Sequence, residues 1–374
     1  MITDRRWVLA GLAATGLSAC AGGGGAPATR TQYKAVPNAG FDAWLDGFRG
    51  RAAANGVSST TIDRAFRSAG YLPEVIERDR NQTEFRRSLE DYFALTASDE
   101  KVATGRQMMA RHNATLSAIE SRYGVEKQIV VAIWGIESQY GARRGDVPVI
   151  SAAATLAYDG RRRQLFENQL IAALKILQAG DVSPEGLVGS WAGAMGHTQF
   201  IPTSYLAFAV DFNGDGRRDI WSDDPTDALA SAAAYLDRNG WRYGQPWVVE
   251  ALPGTSGGSV IQPQRPGPSF RTYANFNTIK TYNNSTNYAL AVGYLANRIA
   301  GGGPLQTPFG PDAGGLTQAD RQELQRRLTR AGYDTGGDDG VLGPKSQAAI
   351  SAYQAANGLP VTGQGTAELL ARLR

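Results

Sequence analysis

The sequence holds one cysteine and two histidines in 374 residues. A single thiol excludes any intramolecular disulfide. His112 and His197 without a Cys pair argue against a zinc centre. Charge of one sign is missing too: 38 basic side chains face 35 acidic ones, a net of +3. Nucleic-acid binders usually show a strong basic stripe, so that class is set aside, while an anionic polymer stays compatible as a partner. No Walker loop or dinucleotide fingerprint occurs, and no organic cofactor is expected. Ser190 lacks a His and Asp set that would activate it. After the first twenty residues no segment is long and apolar enough to span a bilayer.

What is there begins with MITDRRWVLAGLAATGLSAC. A charged start with Arg5 and Arg6, an apolar run from Trp7 to Leu17, and small residues after it have the layout of a secretory signal. Leu17-Ser18-Ala19-Cys20 resembles the bacterial lipobox, so residues 1–20 are expected to be a lipoprotein signal and Cys20 the lipidated first mature residue. The Arg pair allows export by the Sec or the twin-arginine route. The expected location is the periplasm, with contact to a membrane, the outer one, through the lipid anchor only. Residues 21–40 read as a flexible tether.

From residue 41 the pattern is helical. Phe41, Trp44, Leu45 and Phe48 recur at spacings of three and four. SSTTIDRAFRSAG carries a Ser/Thr cap and a Gly stop. Further helices are predicted near 101–122, 126–140, 161–179, 226–239 and 286–300, and WVVEAL at 247–252 is the best strand. GGGPLQTPFGPDAGG, 301–315, reads as a linker. Beyond it, residues 316–374 form a small unit with three short helical patterns.

Three stretches can carry chemistry. In IWGIESQYG, Glu137 shares a helix face with Ile129 and Ile133, and Tyr140 follows. A carboxyl on an apolar face favours its protonated form, which is what a general acid needs. An ion pair with Arg143 or Arg144, or a metal ligand, are the competing readings. In GSWAGAMGHTQFIPTSY, small residues alternate with Trp191, Met195 and Phe200, and Ser190, Gln199 and Ser204 interrupt them. Such a pattern suits a sugar site or, equally, closely packed backbone. In DFNGDGRRDIW, Asp211, Asn213, Asp215 and Gly216 stand at positions 1, 3, 5 and 6 of an EF-hand loop, Arg217 at the backbone-carbonyl position 7 and Asp219 at position 9. Ser222 occupies position 12, where a bidentate Glu is expected; Asp223, Asp224 and Asp227 are candidates to close the shell. A structural Ca2+ is the reading, against an ordinary Asx/Gly turn.

Taken together, GIESQYG, GAMGHTQFIPTSY, DFNGDGRRDIW with PTDALASAAAYL, and TYNNSTNYALAVGYL resemble the motifs of the membrane-bound lytic transglycosylase B family, lysozyme-like enzymes that cleave peptidoglycan. The match runs in order over about residues 41–300. The resemblance implies a mainly α, lysozyme-like catalytic domain with a small β element and an EF-hand-like loop. It implies Glu137 as the single catalytic acid and base. It places Ser190, Gln199, Tyr282, Asn283, Tyr288, Tyr92, Tyr235, Arg161 and Arg162 along the substrate, and Asp227 as the closing calcium ligand. Residues 324–363 resemble a peptidoglycan-binding domain of the three-helix type. The implied activity is cleavage of the β-1,4 bond between N-acetylmuramic acid and N-acetylglucosamine in peptidoglycan glycan strands, with 1,6-anhydromuramoyl ends, in wall turnover, endolytic and exolytic action both being open. A muramidase that uses water and a non-catalytic wall-binding lipoprotein are the alternatives.

Overall fold

The computed structural model describes residues 33–81 and 88–374. The expected signal segment, Arg5, Arg6 and Cys20 lie outside the described residues. Sixteen helices dominate what is described. The first five are α1 (Ala39–Ala54), α2 (Ser59–Phe66), α3 (Pro73–Arg80), α4 (Leu89–Thr96) and α5 (Asp99–Arg111). Then come α6 (Asn113–Tyr123), α7 (Lys127–Ser138), α8 (Val149–Asp159), α9 (Arg163–Ala179) and α10 (Pro202–Phe208). α11 (Thr226–Arg238), α12 (Ala274–Tyr282) and α13 (Thr286–Ile299) complete the large body, and α14 (Gln318–Arg330), α15 (Pro344–Ala356) and α16 (Ala367–Leu373) form the small unit. Strands β1 (Val147–Pro148) and β2 (Val188–Gly189) pair antiparallel, as do β3 (Val248–Glu250) and β4 (Ser259–Ile261) with the central β5 (Phe270–Thr272).

Local chemistry explains the elements. Asn38 caps α1 by accepting from the Phe41 amide at 3.0 Å, and Phe41, Leu45, Phe48 and Ala52 then bury one stripe. Ser58, Ser88, Ser98 and Ser285 cap α2, α4, α5 and α13 in the same way. α7 differs: Ile129 through Ile136 are all buried. A helix apolar all round belongs inside a body, and α7 is enclosed by α5, α6, α11 and α13. α8 is also buried over Val149–Ala157. With no polar face it carries no amphipathic signal, which is why the sequence reading passed over it.

Three expectations change. The predicted helix 101–122 is two helices, because the chain turns at His112 (φ −104°, ψ 22°), whose ring sits edge-on to Trp134. Residues 33–38, expected as the end of a tether, lie against the body: the Val36 amide bonds the Tyr71 carbonyl at 3.0 Å, and Arg78 covers the Tyr33 ring. The stretch 301–315 is docked rather than loose. The Gln306 and Thr307 amides each donate to the Glu250 carboxylate at 2.7 Å, and Phe309 meets Phe93 edge-on with ring centroids 6.3 Å apart. Composition read it as a linker; the partners lie far away in sequence, where composition does not look.

The small unit has its own core of Leu316, Leu324, Leu328, Ile350, Leu369 and Leu370. Its first helix opens on a capping box between Thr317 and Asp320. Among the described residues no helix is long and apolar enough to cross a membrane.

Candidate active site

Glu137 stands in the last turn of α7, and the end of that helix is unusually well held. The chain leaves it through Gln139 and Tyr140, both non-glycine residues at positive φ (51° and 55°). Such backbone costs of order 1–3 kcal/mol per residue and persists only where the surroundings impose it. The Ser138 hydroxyl donates to the His197 carbonyl at 2.6 Å and accepts from the Gly141 amide at 3.0 Å. Trp134 Nε1 donates to His197 Nδ1 at 3.0 Å, and His197 Nε2 meets the Ser222 carbonyl at 2.7 Å. That pair of bonds assigns the proton to Nε2, and burial lowers the proton affinity of the ring, keeping it neutral. Lys101 Nζ donates to the Gly135 carbonyl at 3.2 Å, a cation at the negative end of the helix. Ser138, His197 and Lys101 were not among the expected site residues. Apart from the Trp134–His197 bond, these bonds run to backbone atoms, which leave little mark on a sequence.

The Tyr288 hydroxyl donates to Glu137 Oε1 at 2.7 Å. Glu137 keeps a little surface open, but the dense protein around its carboxyl governs its acidity. Desolvation pushes the carboxyl up from 4.5 to about 7, and the Tyr288 bond opposes the rise. No arginine contributes to this shift. Arg144 instead bonds Asp223 at 2.7 Å and the Ser222 carbonyl at 2.6 Å. The ion-pair reading of Glu137 therefore lacks its partner. Tyr140, close to the acid in sequence, turns its hydroxyl to the Lys101 carbonyl at 2.8 Å, and it is Tyr288, from α13, that reaches Glu137. Replacing Tyr288 by Phe removes the bond that favours the anion. We expect the alkaline limb of kcat/KM to move to higher pH as kcat falls; a profile with an unmoved limb would separate Tyr288 from the acid.

A tyrosine cluster continues from this pair. Tyr282 and Tyr288 lie nearly parallel (10°) with centroids 6.4 Å apart, and Tyr235 meets Tyr282 at 4.9 Å. Tyr282 donates to the Thr198 carbonyl at 2.7 Å and Tyr235 to the Thr281 carbonyl at 2.5 Å. Asn283, 6% exposed, has a buried Oδ1 with no partner among the described residues. Burial first, and then the Glu137 carboxylate, hold the Tyr288 hydroxyl well above its ordinary range, with Tyr92 on α4 the last of the neighbours that add to it. The tyrosines thus form a chain that leads from the Glu137 carboxyl through Tyr288 and Tyr282 to Tyr235.

Ser190 and Gln199 belong to a tight hairpin. The Ser190 amide donates to the Ala194 carbonyl at 2.7 Å, its Oγ accepts from the Ala194 amide at 3.1 Å, and Met195 and Phe200 exchange both backbone bonds. Gln199 (φ 52°) sends its side-chain amide to the carbonyls of Gly196 and Arg144 at 2.8 and 3.1 Å. The glycines here permit close backbone crossing. A Cβ on Gly189 would land on the Ala194 carbonyl, and one on Gly196 on the Ile220 carbonyl. Arg161 and Arg162 turn elsewhere. Arg161 donates to the Asp79 carbonyl at 2.7 Å, and Arg162 pairs with the buried Asp79 carboxylate. None of their contacts among the described residues joins the Glu137 cluster.

The loop after α10 is wound on its own oxygens. Asp211 accepts from the amides of Gly214, Asp215 and Gly216 at 2.7, 3.2 and 2.9 Å. Asn213 Oδ1 accepts from the Asp215 amide at 3.0 Å, and Asp215 from the Arg217 amide at 2.9 Å. Asp227 on α11, 1% exposed, ties the loop ends by accepting from Phe212 at 2.8 Å and Asp219 at 2.9 Å. Among the described residues no three His, Cys, Asp or Glu side chains stand together as a metal site. The donors are hard oxygens of the type calcium takes, but here they are turned toward amides.

One raised carboxyl beside a tyrosine cluster, at the end of a buried helix, defines a class: helical enzymes of lysozyme-like architecture built around a single acid. The chain belongs to the Transglycosylase SLT domain family, whose pattern matches residues 40–256 and 252–297. Residues 317–373 match a second family, a peptidoglycan binding domain. Membrane-bound lytic murein transglycosylase B of Escherichia coli strain K12 is 36% identical over 211 residues, covering 48% of this chain and 58% of that protein, so the chain spans less than two thirds of that relative. SltB3 from Pseudomonas aeruginosa, solved in complex with NAG-anhNAM-pentapeptide, superposes with a TM-score of 0.71 at 42% identity, covering 90% of this chain and all of that one. Escherichia coli Slt35 in complex with calcium gives 0.59 at 28% identity, covering 70% of this chain and 93% of that one.

Proposed function

We propose that this chain is a peptidoglycan lytic transglycosylase. The observation that carries it is the Tyr288–Glu137 pair: a carboxyl raised to about 7, so that near neutral pH it is present both as acid and as base. Protonated Glu137 gives its proton to the glycosidic oxygen between N-acetylmuramic acid and N-acetylglucosamine, and the C1–O bond breaks. The muramoyl N-acetyl group supports the carbon that has lost its leaving group. The Glu137 carboxylate then takes the proton of the C6 hydroxyl, whose oxygen closes the 1,6-anhydro ring, and the acid is restored. One protein carboxylate suffices, unlike the usual glycosidase pair. The complex of SltB3 with an anhydro-muropeptide supports the reading. Digestion of purified sacculi followed by mass measurement tests it. Products one water lighter than the hydrolytic ones are expected; full-mass products would make the chain a muramidase, and no products a wall binder.

The place of action that fits is the periplasm, on wall glycan, with Cys20 carrying the anchor. Cys20→Ser is expected to release the protein from the membrane fraction, since a single acyl chain already binds only marginally and firm anchoring takes two signals. Retention of the mutant after a salt wash would remove the anchor from the account.

The Asp211–Asp227 loop is proposed as a structural calcium site. Its support is the oxygen donor set, the turns at Gly214 and Gly216 (φ 78° and 88°), and the calcium complex of Slt35. Asp211, Asn213 and Asp215 would hold the ion, with the Arg217 carbonyl and Asp227. Binding only to the folded state adds about 2.7 kcal/mol at a hundredfold excess over Kd. A chelator should therefore lower the melting temperature and calcium restore it, and Asp215→Ala should cancel both responses. Identical melts with chelator and with millimolar calcium would leave the loop an ordinary turn.

A further inference from the structure

The small C-terminal unit is joined to the large body by a buried ionic cluster. Arg321, on α14, is 4% exposed. Its Nη2 donates to Glu90 Oε2 at 2.5 Å and to Asp91 Oδ1 at 3.3 Å. Its Nη1 donates to Asp312 Oδ2 at 3.2 Å and to the Leu316 carbonyl at 3.1 Å, and its Nε to the Gly340 carbonyl at 2.7 Å. One planar fork therefore reaches its own unit, the docked linker and α4 of the large body. Glu90 is 7% exposed, so the charge pair is shielded from water. Arginine suits such a place, since its five donors are fixed in one plane.

α4 has eight residues and depends on outside support. The Glu90 amide accepts no help from its own helix; it donates to Gln264 Oε1 at 3.0 Å. Phe93 stacks on Tyr294 at 4.8 Å and meets Phe270 and Phe309 edge-on. Its anchors are thus α13, the three-stranded sheet region, the linker and Arg321. α4 also packs on a helix of the site. Tyr294 lies on α13, the helix that carries Tyr288, and Tyr92 immediately precedes Phe93. A shift of α4 moves Tyr92 relative to Tyr288 and hence to Glu137.

We infer that Arg321 is a positioning residue: by clamping α4 through Glu90 and Asp91 it holds the Tyr92 side of the cleft in place, so that the C-terminal unit supports turnover as well as glycan capture. The inference rests on the proposed function for its activity readout, and on geometry alone for its structural one. A unit that only captured glycan would act on KM. A clamp acts on kcat, which is read at saturating substrate, where recruitment no longer matters.

The test uses the full chain, wild type against Arg321→Ala, Arg321→Lys and Glu90→Gln, each checked for native circular dichroism. Two quantities are read: kcat on a soluble glycan of two disaccharide repeats, and hydrogen exchange of the amides of residues 88–96. Arg321→Ala is expected to lower kcat on the order of 10- to 100-fold, the scale of a misplaced site wall, and to speed exchange in α4. Arg321→Lys, which keeps the charge but not the fork, should recover part of both. Glu90→Gln should move both in the same direction, and it carries the test should Arg321→Ala fail to fold. Unchanged kcat and unchanged exchange in folded variants, with loss only on sacculi, would overturn the inference. If wild type itself leaves the glycan intact, it is the proposed function that fails, and the exchange of α4 still decides the clamp.

Discussion

Glu137→Gln digests sacculi about 10²- to 10⁴-fold more slowly than wild type, the range a positioned proton donor contributes. The amide fits the same space and accepts the Tyr288 hydroxyl, but it can neither deliver nor retrieve a proton. The same variant should be the more stable protein above neutral pH. Folding raises the Glu137 carboxyl from 4.5 to about 7, because burial disfavours the anion. The native state therefore holds this proton more tightly than the unfolded chain. Wild type carries no penalty below pH 4.5, loses stability as pH rises from there through about 7, and stays at the lower level beyond. The full loss is on the order of 3 kcal/mol. Gln has no proton to lose, so the melting curves of the two proteins should diverge across that window. Curves that stay parallel from pH 4.5 to 8 would show that the carboxyl is not desolvated, and wild-type digestion by the variant would remove Glu137 from the chemistry.

The second large effect belongs to a glycine. Gly145 (φ 85°) follows the Glu137 turn and precedes β1, where the chain crosses β2. A Cβ there would meet the Gly189 carbonyl group and the Ser190 amide, backbone that has no side chain to fold away. Gly145→Ala must push β1 and β2 apart, and with them the hairpin that carries Ser190 and Gln199. We expect a loss of about 3 kcal/mol or more, positive φ accounting for 1–2 of it and overpacking for the rest. Gly180 is the control: its φ is 82° and nothing lies within 4 Å of its added Cβ. Gly180→Ala should show the strain alone. Equal shifts in melting temperature for the two variants would mean that the crossing does not resist.

These two positions show what the chain makes legible. Glu137 was readable because an acid on an apolar helix face is conspicuous, and the motifs around it resemble a known family. The long amphipathic helices were readable for the reason α1 is: one stripe is buried and the other is wet. α8, buried on nearly every side, has no stripe to read. The partner of Glu137 was not legible from spacing, since Tyr288 lies 151 residues away and Tyr140, near in sequence, points to Lys101. The glycines of the hairpin were ambiguous between a sugar floor and close-packed backbone, and the packing takes the second form at Gly189 and Gly196. Arg161 and Arg162 were placed along a substrate by resemblance alone, and their partner Asp79 stands on α3, five helices earlier in the chain.

The docked linker has a mechanical consequence. Fifteen residues of loose Gly-rich chain would let their two ends wander roughly 20 Å apart, and a module on such a leash would sweep a wide volume around its anchor. With Gln306 and Thr307 fastened to Glu250, and Phe309 seated beside Phe93, the leash has no slack. Whatever polymer the small unit grips is presented to the cleft at a fixed offset, and a pull on that polymer is passed to α4 as force rather than absorbed as stretch.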